Sequence, residues 1–387
     1  MKLTFEERVK GVVFGTAYGD ALGATIEKLS YSEIKDQYGR VESIDNPWYK
    51  ADWDKDTRNN RMRGFGIITD DTLMTLALMR VYVIEKRHID AYDVSNEFIK
   101  EIAFRPRYIP ELGKKALIID RLFYPEKYIF LRHTLANCEP RQGGIGNMVN
   151  CGAAMYISPI GVVNACNPKA AYDEAIAFAM AHQCSYGLEA AGVLAACIAK
   201  AFEPEASVGD IVSTALTYAK DGTYKAIEAI TNAAISLKIN KDNKDLVVEE
   251  FHKVISEFSP MGNHINIKIE TVGKPSNYYT QSRLFSIEEL PLALGYIVLH
   301  DGQFHEAIND GINSGRDTDS IGVMIGAILG AMQGTEHIKT KDIETLERVN
   351  KQNLAECAKE FSDGAKDILK RDISEFNKRK GILEHLL

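Results

Sequence analysis

Two short acidic clusters lie far apart in the chain, Thr69-Asp70-Asp71 and Asp317-Thr318-Asp319-Ser320, and each opens an apolar stretch that reads as a buried helix. Brought together, they offer four carboxylates and the Thr69 and Ser320 hydroxyls, hard oxygen donors of the kind Mg²⁺ or Mn²⁺ takes. An ordinary explanation stands beside this one. Asp, Ser and Thr are favoured N-caps, and acids are favoured in a helix's first turn. Capping accounts for one side-chain acceptor per helix start, however, and not for paired carboxylates beside a hydroxyl in both places. Unpaired, such charges repel one another, and a divalent cation relieves the cost. Because the N-terminus of a helix is itself partly positive, surplus acid is what a cation site there requires.

The elements that must position these clusters are helical. Apolar positions recur at three-and-four spacing over residues 5–22, 71–86, 169–182, 186–203, 207–219, 223–237, 287–300, 304–313, 320–334 and 343–375, while strand-like alternation is scarce. The expected fold is all-α, a compact orthogonal bundle of many helices around a binuclear metal site. Within it Gly11, Gly15, Gly19 and Gly23 recur every fourth residue, as do Gly322, Gly326 and Gly330. Glycine costs about 1 kcal/mol against alanine inside a helix, so two such faces predict neighbouring helices with closely packed backbones. Their ends then carry Asp20 and Glu27 towards residues 317–320.

Composition bounds the rest. A chain of 387 residues with 45% hydrophobic content can bury a substantial core. A net charge of −8 and the absence of a basic block with interleaved aromatics argue against sequence-specific nucleic-acid binding. The start, MKLTFEERVK, has no signal-peptide pattern, and no apolar run reaches the roughly 18 residues of a membrane span, so a cytoplasmic protein is expected. The six cysteines show neither a CxxC pair nor a zinc spacing, and they read as reduced, with Cys197 in the core. Residues 105–150 and 259–285 are irregular. The first ends in Gln142-Gly143-Gly144-Ile145-Gly146-Asn147, a turn or an approach of bare backbone to a ligand, and the second reads as a lid or rim. No low-complexity linker divides the chain, so residues 1–387 read as one domain with insertions.

Five segments taken together resemble the ADP-ribosylglycohydrolase family, to which the dinitrogenase-reductase-activating glycohydrolases belong. They are Gly15-Thr-Ala-Tyr-Gly19-Asp20-Ala-Leu-Gly23-Ala-Thr-Ile-Glu27, Thr69-Asp70-Asp71-Thr72, Cys151-Gly152-Ala153-Ala154-Met155, His182, and Gly315-Arg316-Asp317-Thr318-Asp319-Ser320 with its glycine helix. The resemblance implies an all-α hydrolase that uses two Mg²⁺ ions, with Mn²⁺ as the alternative, to cleave a glycosidic bond at a ribose. It implies that Thr69, Asp70, Asp71 and Asp319 hold one ion and Asp317, Asp319 and Ser320 the other. Glu27, Asp71 and Asp319 are then the catalytic carboxylates, Glu27 being mobile. Gly146, Asn147, Cys151, Gly152, Tyr156, His182, Gly315 and Arg316 are the substrate-binding candidates, and Asp20 orders the helix and loop from behind.

The chain departs from the family pattern where an Asn-Gly-x-Ala-Met-Arg run is usual. Cys151 stands at the Asn position, Tyr156 at the Arg position, and Asn150 lies one residue early. A small loop residue explains Cys151 better than a catalytic thiol does, since no base adjoins it. Tyr156 either stacks on a base or is a core tyrosine with a satisfied hydroxyl. His182 either approaches ligand or caps a helix end, and Arg316 either meets a phosphate or screens the acids. The resemblance implies ADP-ribose on a modified macromolecule as the substrate, and the departures at Cys151 and Tyr156 point to the alternative, a small N-riboside. A noncatalytic ADP-ribose-binding member, a prenyl-diphosphate enzyme lacking its DDxxD spacing, and a phosphohydrolase built on His300-Asp301 at a solvent-facing helix end are the weaker rivals.

Overall fold

The computed structural model describes residues 3–148, 151–259 and 287–387. At its centre lies a seam of glycines. Helix Phe5–Ala24 begins at a capping box, with the Thr4 hydroxyl accepting from the Glu7 amide and Glu7 returning to the Thr4 amide. It packs along helix Thr318–Gln333 so that Gly11, Gly15 and Gly19 face Gly330, Gly326 and Gly322. A methyl group at Gly15 would stand 2.1 Å from the Gly326 carbonyl oxygen, a separation that only glycine permits. Gly23 carries the seam into the acidic region, where an added Cβ would lie 2.3 Å from the Thr318 oxygen and 2.4 Å from the Asp319 amide.

Helices Asp70–Glu85, Tyr186–Ala201, Glu289–Leu299 and Phe304–Asn313 surround this pair and share one hydrophobic core with it. The fold is all-α, as expected. Among the described residues the sheet content is one antiparallel pair, Arg107–Ile109 with Lys114–Ala116. No helix among them is long and apolar enough to cross a membrane. All six cysteines are unpaired, and Cys197 is fully buried.

Several elements differ from the periodicity. The run 343–375 is two helices, Thr340–Asn350 and Leu354–Leu386, separated where Lys351 turns left-handed at φ 51° and Asn353 caps the second helix. The apolar period continues across this break and hides it. Helices Tyr31–Tyr38, Tyr124–Leu135 and Lys244–Ile255 were not anticipated, the second lying inside the stretch read as irregular. The Gly143-Gly144 turn is tightly packed: a Cβ would meet the Ala181 oxygen and the Gln183 amide, each at 2.4 Å, which leaves no open phosphate cradle. His300 is buried and bonded to Asp310 at 2.6 Å, whereas Asp301 faces outward to Lys238, so that dipeptide forms no joint site. Apart from Ser259, the expected lid at 259–285 lies outside the described residues.

Candidate metal centre

The loop before the first cluster is pinned by Asn350, whose Nδ2 donates to the Gly66 carbonyl at 2.8 Å and whose Oδ1 accepts from the Ile68 amide at 3.0 Å. Thr69 then caps helix Asp70–Glu85, its hydroxyl accepting from the Asp71 amide at 3.3 Å. Behind it, one oxygen of the fully buried Asp20 accepts from the Thr69 amide at 2.9 Å, the Thr72 amide at 3.2 Å and the Thr72 hydroxyl. Asp20 thus orders the helix start from the core side. Burial and then the Asp319 charge push its carboxyl up to about 7.

The second cluster is held by a crossing of two loops. Gly315 and Arg316 have φ of 84° and 75°; the Arg316 amide donates to the Leu29 carbonyl at 3.1 Å, and the Lys28 amide donates to the Arg316 carbonyl at 3.2 Å. Thr318 fastens the helix start to the seam by donating its hydroxyl to the Gly23 carbonyl at 2.7 Å. Asp317 occupies the N-cap position of helix Thr318–Gln333 but makes no side-chain capping bond. Capping therefore explains Thr69 and leaves the Asp317 carboxylate unaccounted for.

The two clusters meet. Ser320 Oγ donates to Asp71 Oδ1 at 2.9 Å, joining segments nearly 250 residues apart in sequence. Carboxylate oxygens of Glu27, Asp317 and Asp319 lie within 4.8 Å of one another. Burial, reinforced by Asp319, holds the Asp71 and Asp317 carboxyls well above the usual range. Burial and then Glu27 raise Asp319 to about 6, with Arg63 opposing.

Among the described residues, protein cations balance only part of this charge. Arg63 pairs with Glu27, with Glu111 at 2.6 Å, and reaches 3.8 Å from Asp319, while Arg121 pairs with Asp70 and Glu111. Burial would raise the Glu111 carboxyl, but Arg121 and Arg63 outweigh it and hold the group at about 2. Burial likewise opposes ionisation of Glu27, and the charges of Arg63 and Lys28 overcome it. Two guanidiniums shared with Glu111 leave Asp71 and Asp317 without an arginine partner among the described residues and Asp319 with one only at 3.8 Å, a donor set that fits a small, hard divalent cation.

The remaining candidates are distributed differently. Cys151 is buried with Sγ 3.9 Å from Asp317 Oδ2, and burial together with Asp317 pushes its thiol well up, so it is no nucleophile at neutral pH. Gly152 is buried beside it. Tyr156 is fully buried in an aromatic group with Phe98 and Phe178; its hydroxyl meets His182 Nδ1 at 2.7 Å, and the two rings stack at 18°. Burial lowers His182 to about 3, so it is neutral. The core-tyrosine reading is the one this geometry matches. Asn147 Nδ2 donates to the His182 carbonyl at 2.9 Å, while Gly146, at φ 88°, borders open space. The Arg316 guanidinium, for which a phosphate contact or screening of the acids was the expectation, is buried and bonded to Glu288 at 2.6 and 2.7 Å.

Arg63, Glu111 and Arg121 were not foreseen, nor were Glu288 and Glu289. For the last pair a signal existed. Two adjacent acids open the apolar helix Glu289–Leu299, the same doubling that singled out Asp70 and Asp71. The arginines carried no such signal, because their partners come from distant segments.

Comparisons with known proteins agree with the geometry. The sequence profile of the ADP-ribosylglycohydrolase family matches residues 1–371. An Escherichia coli K12 protein, YegU, described as uncharacterized, is 26% identical over 355 residues, covering 89% of this chain and 93% of YegU. The ADP-ribosyl-[dinitrogen reductase] glycohydrolase of Rhodospirillum rubrum is 38% identical over 100 residues, 26% of this chain and 30% of that enzyme. A solved structure titled ADP-ribosylglycohydrolase-related protein complex superposes with a TM-score of 0.56 at 18% identity, covering 93% of this chain and 99% of the other, which shows a shared fold. With nearly its whole length matched by the family profile and its two acidic clusters joined at one buried centre, the chain belongs to the ADP-ribosylglycohydrolase family.

Proposed function

We propose that the protein is a Mg²⁺-dependent hydrolase of a ribosyl glycosidic bond, removing ADP-ribose from a modified substrate. The observation that carries this reading is the meeting of Asp71 with Ser320 among buried carboxylates that outnumber their arginine partners. Thr69, Asp70, Asp71 and Asp319 would hold one ion, and Asp317, Asp319 and Ser320 the other. Bound there, the ions would supply a Lewis acid that orients ribose hydroxyls and lowers the pKa of a water. The chain supplies the rest. Arg63 keeps the Glu27 carboxylate ionised and aimed beside Asp319, where it can take a proton from water or face the positive charge that develops at the anomeric carbon. Asp20 fixes the Thr69 helix start, so the first cluster keeps its geometry without being a ligand itself.

One observation favours a smaller N-riboside. At the position where the family commonly carries arginine, the Tyr156 hydroxyl is engaged by His182 and the ring is fully buried, so neither contacts a group beyond the ribose. Calorimetric titration of ADP-ribose into chelator-treated protein, with and without Mg²⁺, separates the readings. Metal-dependent binding supports ADP-ribosyl hydrolysis. Mg²⁺ binding without ADP-ribose binding moves the search to small ribosides, and failure of both overturns the proposal.

A further inference from the structure

Glu289 is a buried carboxylate for which the proposed reaction has no use. It is 1% exposed, and neither of its oxygens receives a hydrogen bond of normal geometry among the described residues. Burial and the neighbouring Glu288 charge outweigh the backbone amides of Glu289 and Glu288 and the charge of Arg316, which favour its ionised form, and the Arg316 guanidinium is bonded to Glu288. A desolvated carboxylate left in this state costs several kcal/mol, which is why buried carboxylates are ordinarily paired or bind metal. What Glu289 does face is a sulfur and a second carboxylate: one ligand atom each from Cys151, Glu289 and Asp317 lie within 4.8 Å of one another, and all three residues are buried.

We propose that Cys151, Asp317 and Glu289 form a binding site for a thiophilic divalent cation of the Zn²⁺ class, sharing Asp317 with the Mg²⁺ centre. A thiolate with two carboxylates is a poor set for Mg²⁺, which takes oxygen ligands, and a good one for Zn²⁺. The spacing is close to what coordination requires. Bonds of ~2.0 Å to oxygen and ~2.3 Å to sulfur subtend a tetrahedral edge of roughly 3.5 Å, and Cys151 Sγ stands 3.9 Å from Asp317 Oδ2. Three protein ligands leave the fourth tetrahedral position for water or substrate. On binding, the thiol proton passes to solvent as the metal–sulfur bond forms, so no other co-reactant is needed. Because both cations require Asp317, a Zn²⁺-class ion seated here competes with Mg²⁺ for the neighbouring centre. This gives Cys151, the residue standing where the family commonly has asparagine, a role other than that of a nucleophile.

The competition with Mg²⁺ rests on the proposed function, but the three ligands do not, and their test needs no turnover. Co²⁺, used as the probe for Zn²⁺, is titrated into the chelator-treated full chain without Mg²⁺ while the thiolate-to-cobalt charge-transfer absorption is followed. Wild type is expected to develop the band, and Cys151→Ser is expected to lose it while keeping the wild-type circular dichroism. Glu289→Gln is expected to weaken Co²⁺ binding at least about tenfold. No band in wild type, or a band that survives in Cys151→Ser because cobalt sits on another cysteine, overturns the proposal. Should Glu289→Gln fail to fold, the Cys151→Ser comparison alone decides it. Loss of ADP-ribose binding leaves this readout untouched, so the two proposals fail separately.

Discussion

Substituting alanine for Gly15 tests the architecture that brings the acidic clusters together. The added methyl would stand 2.1 Å from the Gly326 carbonyl oxygen, 2.7 Å from its carbon and 3.3 Å from its Cα, so it meets rigid backbone and no side chain that can swing away. Restoring an ordinary contact of roughly 3.5 Å from 2.1 Å requires the two helices to part locally by about 1.4 Å. A gap of even about 1 Å forfeits up to half of each dispersion contact along the seam, and overpacking of this kind costs about 1–3 kcal/mol or more. Better helix propensity returns only about 1 kcal/mol. We therefore expect Gly15→Ala to be destabilised by about 2 kcal/mol or more, seen as a lower urea midpoint by circular dichroism, with weaker Mg²⁺ binding because the same seam sets Gly23 against Thr318 and Asp319. Gly381→Ala is the control. No atom lies within 4 Å of an added Cβ there, so the substitution should be neutral or stabilising. A Gly15→Ala protein as stable as wild type would refute the close seam.

Asp70→Asn and Asp319→Asn should each abolish Mg²⁺-dependent turnover and leave helical content unchanged; normal activity in either, measured on an ADP-ribosylated substrate, would remove these residues from the ligand set. Tyr156→Phe should cost about 1–2 kcal/mol through the lost bond to His182, with Mg²⁺ affinity unaltered by calorimetry. Tyr156→Arg, which sequence reasoning would assign to substrate preference, should instead destabilise the fold by placing a guanidinium among Phe98, Phe178 and His182; a stable variant with altered preference would show that the ring lines the pocket. Stability without metal should depend on pH in a stated direction. Burial and neighbouring acids raise the folded carboxyls of Asp20 to about 7 and Asp319 to about 6, above the ordinary 3.8, so between these values the folded chain binds more protons than the unfolded one. Its stability then falls as pH rises through this window, and Mg²⁺ should restore more at pH 8 than at pH 5. Melting in chelator that is higher at pH 8 would reverse the sign and refute the assignment.

The features legible in the sequence are those encoded locally or by strict period. Three-and-four spacing foretold an all-α chain, and glycines at every fourth position in two segments foretold which helices touch, because only contact between backbones makes that pattern worth its cost. Doubled acids beside a hydroxyl singled out Thr69–Asp71 and Asp317–Ser320, which the fold brings together; Thr69 caps its helix, whereas Asp317 makes no capping bond. What the tertiary structure alone decided is which charges are compensated. Arg63 reaches Glu27 and Glu111, Arg121 reaches Asp70 and Glu111, and Arg316 reaches Glu288. Pattern could not choose between a ligand-stacking and a core role for Tyr156 either, since both require an aromatic ring at the same place. A side chain's type and spacing are local properties, but its dielectric surroundings and ion partners are set by segments folded in from elsewhere. The energy of a buried charge depends on those surroundings far more than on its neighbours in sequence.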